Sequence, residues 1–104
     1  MKIEAVLTQL KEQLQAIYGE RLKEVVLYGS WARNEGTDDS DIDIAVVLDG
    51  DVKPGAEIDR LINMITDMNL QHRVLISVYP VSARDFSTIR SPLLINLRRE
   101  GQRI

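Results

Sequence analysis

Residues 25–48 read VVLYGSWARNEGTDDSDIDIAVVL and hold the strongest pattern in the chain. An apolar run ends in Gly29 and Ser30, ten residues follow, and Asp41 and Asp43 then open a second apolar run. Because side chains two residues apart on a strand point to the same face, the aspartates present their carboxylates together while the intervening isoleucine faces the core. The pattern therefore predicts two strands with an oxygen-rich site where they meet.

The residue types in this segment indicate a site for phosphate and metal. Carboxylate oxygens suit Mg²⁺ or Mn²⁺ that carries a nucleoside triphosphate. Gly29 allows the backbone to approach a ligand closely, and a helix that starts at Ser30 offers free N–H groups and a hydroxyl to a phosphate. An Asp-x-Asp pair alone is also typical of a solvated turn, but the flanking apolar runs and the Gly-Ser dipeptide favour the metal-nucleotide interpretation.

The segment GSWARNEGTDDSDID resembles the nucleotidyltransferase superfamily that includes DNA polymerase β. Its hallmark is a strand, a Gly-Ser pair and a spaced Asp-x-Asp on the next strand. The similarity is closest to the minimal nucleotidyltransferases, or MNT proteins, small prokaryotic proteins commonly encoded beside an all-helical HEPN partner. The ending SPLLINLRREGQRI also looks like the C-terminal helix of that branch.

The resemblance implies specific roles for five residues. Asp41 and Asp43 would be catalytic metal ligands, and Gly29, Ser30 and Arg33 would bind the nucleotide. It also implies ATP as substrate, Mg²⁺ or Mn²⁺ as cofactor, and a hetero-oligomer with a HEPN-domain protein. Arg33 at the matching family position suggests a phosphate contact, although a pairing with nearby acids is the alternative.

Composition narrows the class of protein further. The 104 residues, 44% apolar and 28% charged, predict one globular domain over residues 1–104. The chain contains no cysteine and one histidine, which argues against thiolate and histidine-rich metal sites. It shows no signal segment and no membrane-length apolar run, so we expect a cytoplasmic protein without a membrane partner. Its net charge of −3 does not favour stable binding to nucleic acid.

Charge is unevenly distributed along the chain. Residues 34–59 contain nine acids and one lysine, whereas residues 84–104 contain five arginines and two acids. The acidic block is explained by solvated loops, apart from Asp41 and Asp43, for which we favour cation binding. The basic end either complements helix C-terminal dipoles or serves a partner or phosphate.

Periodicity predicts a helix that ends at Gly19, a strand at residues 24–28, a short helical stretch at residues 30–35 and a doubly buried strand at residues 42–48. A helix from Pro54, a strand at residues 73–79 closed by Pro80, a turn capped by Ser82 and a last helix from Ser91 and Pro92 follow. The second helix is expected to bury its apolar positions Ile58, Leu61, Ile62, Ile65 and Met68. We therefore expect an α/β or α+β fold, with a small mixed sheet flanked by helices.

The third strand departs from the superfamily pattern. The resemblance implies a third carboxylate there, but residues 73–79 contain no acid. By strand parity Ser77 is the candidate for the vacated position, and a hydroxyl is a poorer Mg²⁺ ligand and a weaker base than a carboxylate. Asp85 would compensate only if the chain after Pro80 folded back.

Several single residues have two interpretations. Asn34 replaces the usual family glycine and is the next most tolerant residue of a left-handed backbone. Trp31 either stacks on a base or packs, while Tyr28 and Tyr79 are read as packing residues. His72 is read as a surface residue and not as a catalytic base.

Two functions fit these features best. The first is a Mg²⁺-dependent enzyme that transfers AMP from ATP to a protein hydroxyl and so neutralises a HEPN-type toxin. The second is an antitoxin of the same fold that is catalytically weak or inactive and neutralises its partner by binding. A subunit of a split small-molecule transferase is disfavoured because 104 residues leave little room for a substrate domain.

Overall fold

The computed structural model describes residues 3–104. Its helices are α1 (Ile3–Tyr18), α2 (Gly29–Ala32), α3 (Pro54–His72), α4 (Ala83–Thr88) and α5 (Pro92–Glu100). Its strands are β1 (Leu22–Tyr28), β2 (Ile42–Leu48), β3 (Ile76–Ser82) and β4 (Gln102–Arg103), and a 3₁₀ turn spans Gly19–Arg21. Among these helices, none combines the length and the hydropathy needed to cross a lipid bilayer.

The four strands form one mixed sheet in the order β3-β2-β1-β4. β1 is antiparallel to β2 and β4, and β2 is parallel to β3. From Ile44 to Leu48 every residue of β2 is buried, as the continuous apolar run predicts for a strand covered on both faces. The predicted class, a small mixed sheet flanked by helices, is confirmed.

Helices cover the sheet on both faces. α1 and α3 pack on one face with Leu10, Leu61 and Ile44 at their contact. α4 and α5 pack on the other face, where Phe86 and Leu97 meet Val26, Ala45 and Val47. Asp43 shares the strand parity of Ala45 and Val47, so it lies on the α4/α5 face of the sheet.

β3 corrects the strand predicted at residues 73–79. It starts later because Arg73 ends α3 in a left-handed conformation, with φ 56°. It also continues through Pro80, because β3 is an edge strand and proline is compatible with a sheet edge. The Ile42 N–H donates to the Leu75 carbonyl at 2.9 Å, which in a parallel ladder directs the residue at position 80 away from β2. Pro80 has no N–H, but at this position an N–H would point to the open edge of the sheet. No hydrogen bond between β3 and β2 is therefore lost.

α3 corrects one part of the predicted core. Leu61, Ile65 and Met68 are buried as expected, but Ile58 and Ile62 are 38% and 50% exposed. Glu57 is buried in their place: it accepts a hydrogen bond from the Tyr18 hydroxyl at 2.9 Å and pairs with Arg21 at 3.1 Å. Burial, the hydrogen bond and the charge of Glu57 raise the pKa of Tyr18 to about 12, so the phenol stays a donor.

The C-terminal region confirms both predicted caps and adds one strand. The Ser82 hydroxyl accepts from the Asp85 N–H at 3.0 Å, and that of Ser91 accepts from the Leu94 N–H at 3.2 Å. β4 was not predicted, because a two-residue strand carries no measurable periodicity. It pairs with β1 at Val26 and Leu27 and extends the sheet beyond β1.

Candidate metal and nucleotide site

The turn after β1 is shaped by a glycine. Gly29 begins α2 with φ 72°, a backbone conformation that L side chains rarely adopt. A Cβ at this position would overlap the Asp43 carboxylate and lie 3.2 Å from its Cγ. Gly29 is therefore required both for its backbone conformation and for the space above its Cα, which the Asp43 side chain occupies.

Asp41 and Asp43 flank the start of β2. Asp41 precedes the strand and is exposed, Asp43 is its second residue and is half-buried, and Ile42 between them is fully buried. This is the alternation that the sequence predicts, with carboxylates on one side and isoleucine in the core. Asp43 is the register partner of Tyr28 on β1 and of Ser77 on β3. Tyr28, Asp43 and Ser77 thus form a row across three strands on one face.

The charges of Asp41 and Arg33 act on the carboxyl group of Asp43. Burial and the nearby charge of Asp41 raise the pKa of Asp43, and Arg33 partly offsets the rise. Burial, Asp43 and Tyr79 together raise the pKa of Tyr28. The folded protein thus favours ionisation of Asp43 less than the unfolded chain does, and a bound cation would relieve the repulsion between the two carboxylates.

The short helix α2 overlaps the helical stretch predicted at residues 30–35, but it begins one residue earlier and ends three residues earlier. The Glu35 N–H donates to the Ser30 carbonyl at 2.9 Å, and Asn34 has φ 60°, the left-handed conformation that its residue type predicted. The first N–H groups of a helix lack intrahelical acceptors. The nucleotide-binding roles of Gly29 and Ser30 stay predictions that this local geometry accommodates.

Arg33 pairs with carboxylates in this structure. Its guanidinium lies 3.2 Å from Glu35 and 3.7 Å from Glu100 at the end of α5. Both contacts are solvent-exposed, and exposed ion pairs contribute little to stability, typically about 0 to 1 kcal/mol. A phosphate could therefore replace them at small cost, and the predicted phosphate contact of Arg33 stays a prediction.

The donor set fits one divalent cation. Asp41 and Asp43 supply carboxylate oxygens, and Mg²⁺ in nucleotide sites is commonly bound by one or two carboxylates, phosphate oxygens and water. Within residues 3–104, no group of three or more histidine, cysteine, aspartate and glutamate side chains is arranged to hold a metal ion.

Other candidate residues lie outside the row of Asp43. The Trp31 ring packs against Gly36 and donates to the Ser40 carbonyl at 3.5 Å, which supports packing and not base stacking. His72 hydrogen-bonds to Gln9 at 2.8 Å on the opposite helical layer. Asp85 lies beyond Ser82, the last residue of β3. Ser82 is itself five residues from Ser77, or about 17 Å along the strand. α4 does not fold back, so Asp85 does not compensate at the site.

Sequence reasoning missed a support for α2. The Gln102 side chain donates to the Ala32 carbonyl at 2.6 Å, which binds the last turn of α2 to the C-terminal strand. The carbonyls at a helix end lack intrahelical donors, so this bond satisfies one of them. No local pattern indicates such a contact, because the two residues are 70 positions apart.

A helix-flanked mixed sheet with Gly-Ser after one strand and paired aspartates at the start of its neighbour defines a nucleotidyltransferase-type protein. The family model for the nucleotidyltransferase domain matches residues 7–98. The chain belongs to that family, and the predicted membership of the nucleotidyltransferase superfamily is confirmed.

Two relatives from Methanocaldococcus jannaschii, both provisionally named protein adenylyltransferases, are similar to this chain. One is 33% identical over 87 residues, which cover 84% of this chain and 81% of the relative. The other is 26% identical over 77 residues, which cover 74% and 77%. A chain in the crystal structure of a toxin–antitoxin with AMP-PNP superposes with a TM-score of 0.64 at 16% identity, covering 91% of this chain and 69% of that chain. At this identity the last match bears on the fold alone.

Replacing Gly29 by alanine tests the close approach of Asp43. We expect Gly29→Ala to lower the free energy of unfolding by about 2 kcal/mol or more, because it combines backbone strain with overlap on Asp43. Gly50→Ala is a matched control, since Gly50 has φ 80° and a Cβ added there would meet no neighbouring atom within 4 Å. It should cost only the strain, about 1 kcal/mol. Equal losses in urea denaturation would contradict the contact.

Asp43→Asn tests the electrostatic cost of the site. A raised pKa in the folded state means that the Asp43 charge destabilises the protein at neutral pH, and that this penalty disappears below the pKa of the unfolded chain. We expect Asp43→Asn to raise the free energy of unfolding at pH 7, by an amount that solvent screening keeps below about 1 kcal/mol. The gain should shrink towards pH 3. Asp67→Asn, at an exposed position on α3, is the control, and a loss of stability in Asp43→Asn at pH 7 would refute the assignment.

Proposed function

We propose that this protein is a Mg²⁺- or Mn²⁺-dependent nucleotidyltransferase that transfers AMP from ATP to a hydroxyl group of a partner protein. The observation that carries the proposal is the position of the Asp43 carboxylate over Gly29, beside Asp41 and at the start of α2. In this proposal the two carboxylates would bind the cation, and the N–H groups at the start of α2 would face the phosphates. The names of the two adenylyltransferase relatives support AMP as the transferred group.

Each side chain of the site has a role in this proposal. Asp41 and Asp43 would hold the cation that carries the triphosphate, and the N–H groups at Gly29 and Ser30 would bind its oxygens. Arg33 would exchange its contacts with Glu35 and Glu100 for a phosphate oxygen. The cation would offset the negative charge that develops on the phosphate during transfer.

The reaction is a substitution at the α-phosphorus. The acceptor oxygen forms a bond to that phosphorus, the bond to the bridging oxygen of pyrophosphate breaks, and pyrophosphate leaves with the bonding electrons. Ser77, the β3 neighbour of Asp43, is a weak base, so the hydroxyl proton passes to water. We therefore expect a slow enzyme whose main contribution is positioning and charge stabilisation.

The partner we propose is a HEPN-type toxin, which makes this protein an antitoxin. The structural match to a toxin–antitoxin with AMP-PNP supports both a toxin partner and an adenine nucleotide ligand. The HEPN class follows from the resemblance of GSWARNEGTDDSDID to minimal nucleotidyltransferases. Addition of AMP to a toxin hydroxyl places a bulky anionic group on the toxin, which disrupts apolar or acidic surroundings by charge and desolvation.

A second function is favoured by one observation, the register of Ser77. β3 contains no acid, and Ser77 lies beside Asp43 where the superfamily resemblance implies a third carboxylate. Two carboxylates are enough to bind a nucleotide-bearing cation, whereas activation of the acceptor depends on the third. On this basis the protein would neutralise its toxin by binding, with the nucleotide site catalytically weak or inactive.

Label transfer from ATP separates the two functions. With Mg²⁺ or Mn²⁺ and the protein encoded by the adjacent reading frame, we expect α-labelled ATP to label the partner and γ-labelled ATP to leave it unlabelled. Asp43→Asn should reduce labelling at least about 100-fold, the scale of losing a principal electrostatic group. Asp67→Asn should leave it unchanged. Unaltered labelling in Asp43→Asn would exclude the site, and neutralisation without labelling would support the binding function.

Ser77→Asp tests whether Ser77 occupies the vacated ligand position. A third carboxylate in the row of Asp43 should tighten Mn²⁺ binding about tenfold, equivalent to about 1.4 kcal/mol, as measured by isothermal titration calorimetry. Thr66→Asp adds the same charge at an exposed position on α3 and should have no such effect. No gain in affinity for Ser77→Asp, or an equal gain for both variants, would refute the assignment of Ser77 to the vacated ligand position.

A further inference from the structure

A cavity lies on the same face of the sheet as Asp43. It has a volume of about 590 Å³ and is lined by residues of β1, α4, α5 and β4. A second cavity of about 400 Å³ shares Phe86, Ser87 and Arg103 with it and adds Lys23 and Val47. Because they share these residues, the two cavities adjoin each other, and together we call them the cationic groove.

The floor of the cationic groove is apolar and has little exposed surface. Val26, Phe86 and Leu97 line it and are only 2%, 9% and 2% exposed. Such a floor offers contact to one inserted side chain at a time and not to a broad apolar surface. A partner segment would therefore contribute a single apolar anchor and hold its remaining residues along the rim.

The rim carries an excess of positive charge. Lys23, Arg98 and Arg103 are exposed, and Glu24 is the one acid among the residues that line the groove. Arg103 pairs with Glu24 at 2.8 Å, and Arg98 donates one bond to the Phe86 carbonyl at 2.6 Å. Both guanidinium groups keep further N–H donors. The local balance is two positive charges in a chain whose net charge is −3.

We propose that the cationic groove binds an acidic segment of the acceptor protein, anchored by one apolar side chain. This inference rests on the proposed function, whose substrate it specifies. Val26 precedes Tyr28, the register partner of Asp43, by two residues, or about 7 Å along the strand. A segment held in the groove thus lies one side-chain row from the candidate site, on the same face.

Two other occupants fit the groove less well. Single-stranded nucleic acid binds through bases stacked on exposed aromatic faces, and the ring of Phe86 is buried. A second copy of this chain could offer its acidic loop at residues 38–41, but groove and loop are different surfaces. A single contact of this kind is head-to-tail, and it gives a closed dimer only when a reciprocal contact forms at the same time.

Binding can be measured with synthetic probe peptides and the full-length protein labelled with ¹⁵N. The first probe is a capped decapeptide of aspartate and glutamate with one central leucine, the second replaces the leucine with alanine, and the third replaces the acids with lysines. We expect the first probe to shift the amide resonances of Val26, Ser87 and Gly101. It should bind at least about fivefold more tightly than the second, and the third should not bind.

Charge reversal at Lys23 tests the rim. Lys23→Glu should weaken the first probe at least about tenfold, and Lys23→Gln should weaken it less. Arg90→Glu is the control, because Arg90 is likewise an exposed cation but does not line the groove, and its reversal should change affinity less than about twofold. Similar losses in Lys23→Glu and Arg90→Glu would overturn the proposal in favour of nonspecific charge attraction.

Three further results would also overturn it. They are resonance shifts confined to other surfaces, tighter binding of a single-stranded decanucleotide, and a concentration-dependent dimer that Lys23→Glu dissociates. The outcome is separable from that of the proposed function. Asp43→Asn should still bind the probe peptide. Peptide binding without nucleotide binding would support the groove proposal alone. Nucleotide transfer without peptide binding would refute the groove proposal and leave the proposed function intact.

Discussion

The candidate site depends on one close contact, that of the Asp43 carboxylate with the backbone of Gly29. It is possible because β1 and β2 are paired in a register that sets Tyr28 against Asp43, one residue before the chain turns into α2. Any side chain at position 29 would displace the carboxylate, and any shift of register by one residue would turn Asp43 into the core. Strand register, the glycine and the carboxylate are therefore one coupled feature.

That contact is maintained against an electrostatic cost. Burial and Asp41 both disfavour the charge on Asp43, whereas neighbouring Ile42 and Ile44 are fully buried and anchor the strand. Burial of a side chain of this size contributes about 1.5 to 3 kcal/mol, which is enough to hold a carboxylate in an unfavourable position. The C-terminal strand adds support from the other side, through the Gln102 bond to α2. The apolar strand thus holds in place the charges that a cation would stabilise.

Local patterns in the sequence predicted those parts of the structure that depend on local physics. The apolar run of β2, the caps at Ser82 and Ser91 and the left-handed Asn34 follow from periodicity and backbone preference. Errors arose where a distant partner decides the outcome. Pro80 continues β3 only because that strand lies at the sheet edge, and Glu57 is buried only because Tyr18 and Arg21 satisfy it. β4 and the Gln102 contact likewise depend on pairing across the whole chain length.

The positions of Asp43 and Ser77 separate nucleotide binding from catalysis in physical terms. Binding a nucleotide-bearing cation requires oxygens of high charge density close together, and in the proposed function Asp41 and Asp43 would supply them. Accelerating transfer further requires a group that takes up the acceptor proton, and on β3 the residue beside Asp43 is a serine. In the proposed function the two carboxylates would therefore serve nucleotide recognition, while the rate of transfer would depend on how well the acceptor hydroxyl is positioned. A slow transferase with a tightly docked protein substrate satisfies both conditions, because positioning by binding can replace part of the contribution of a missing base.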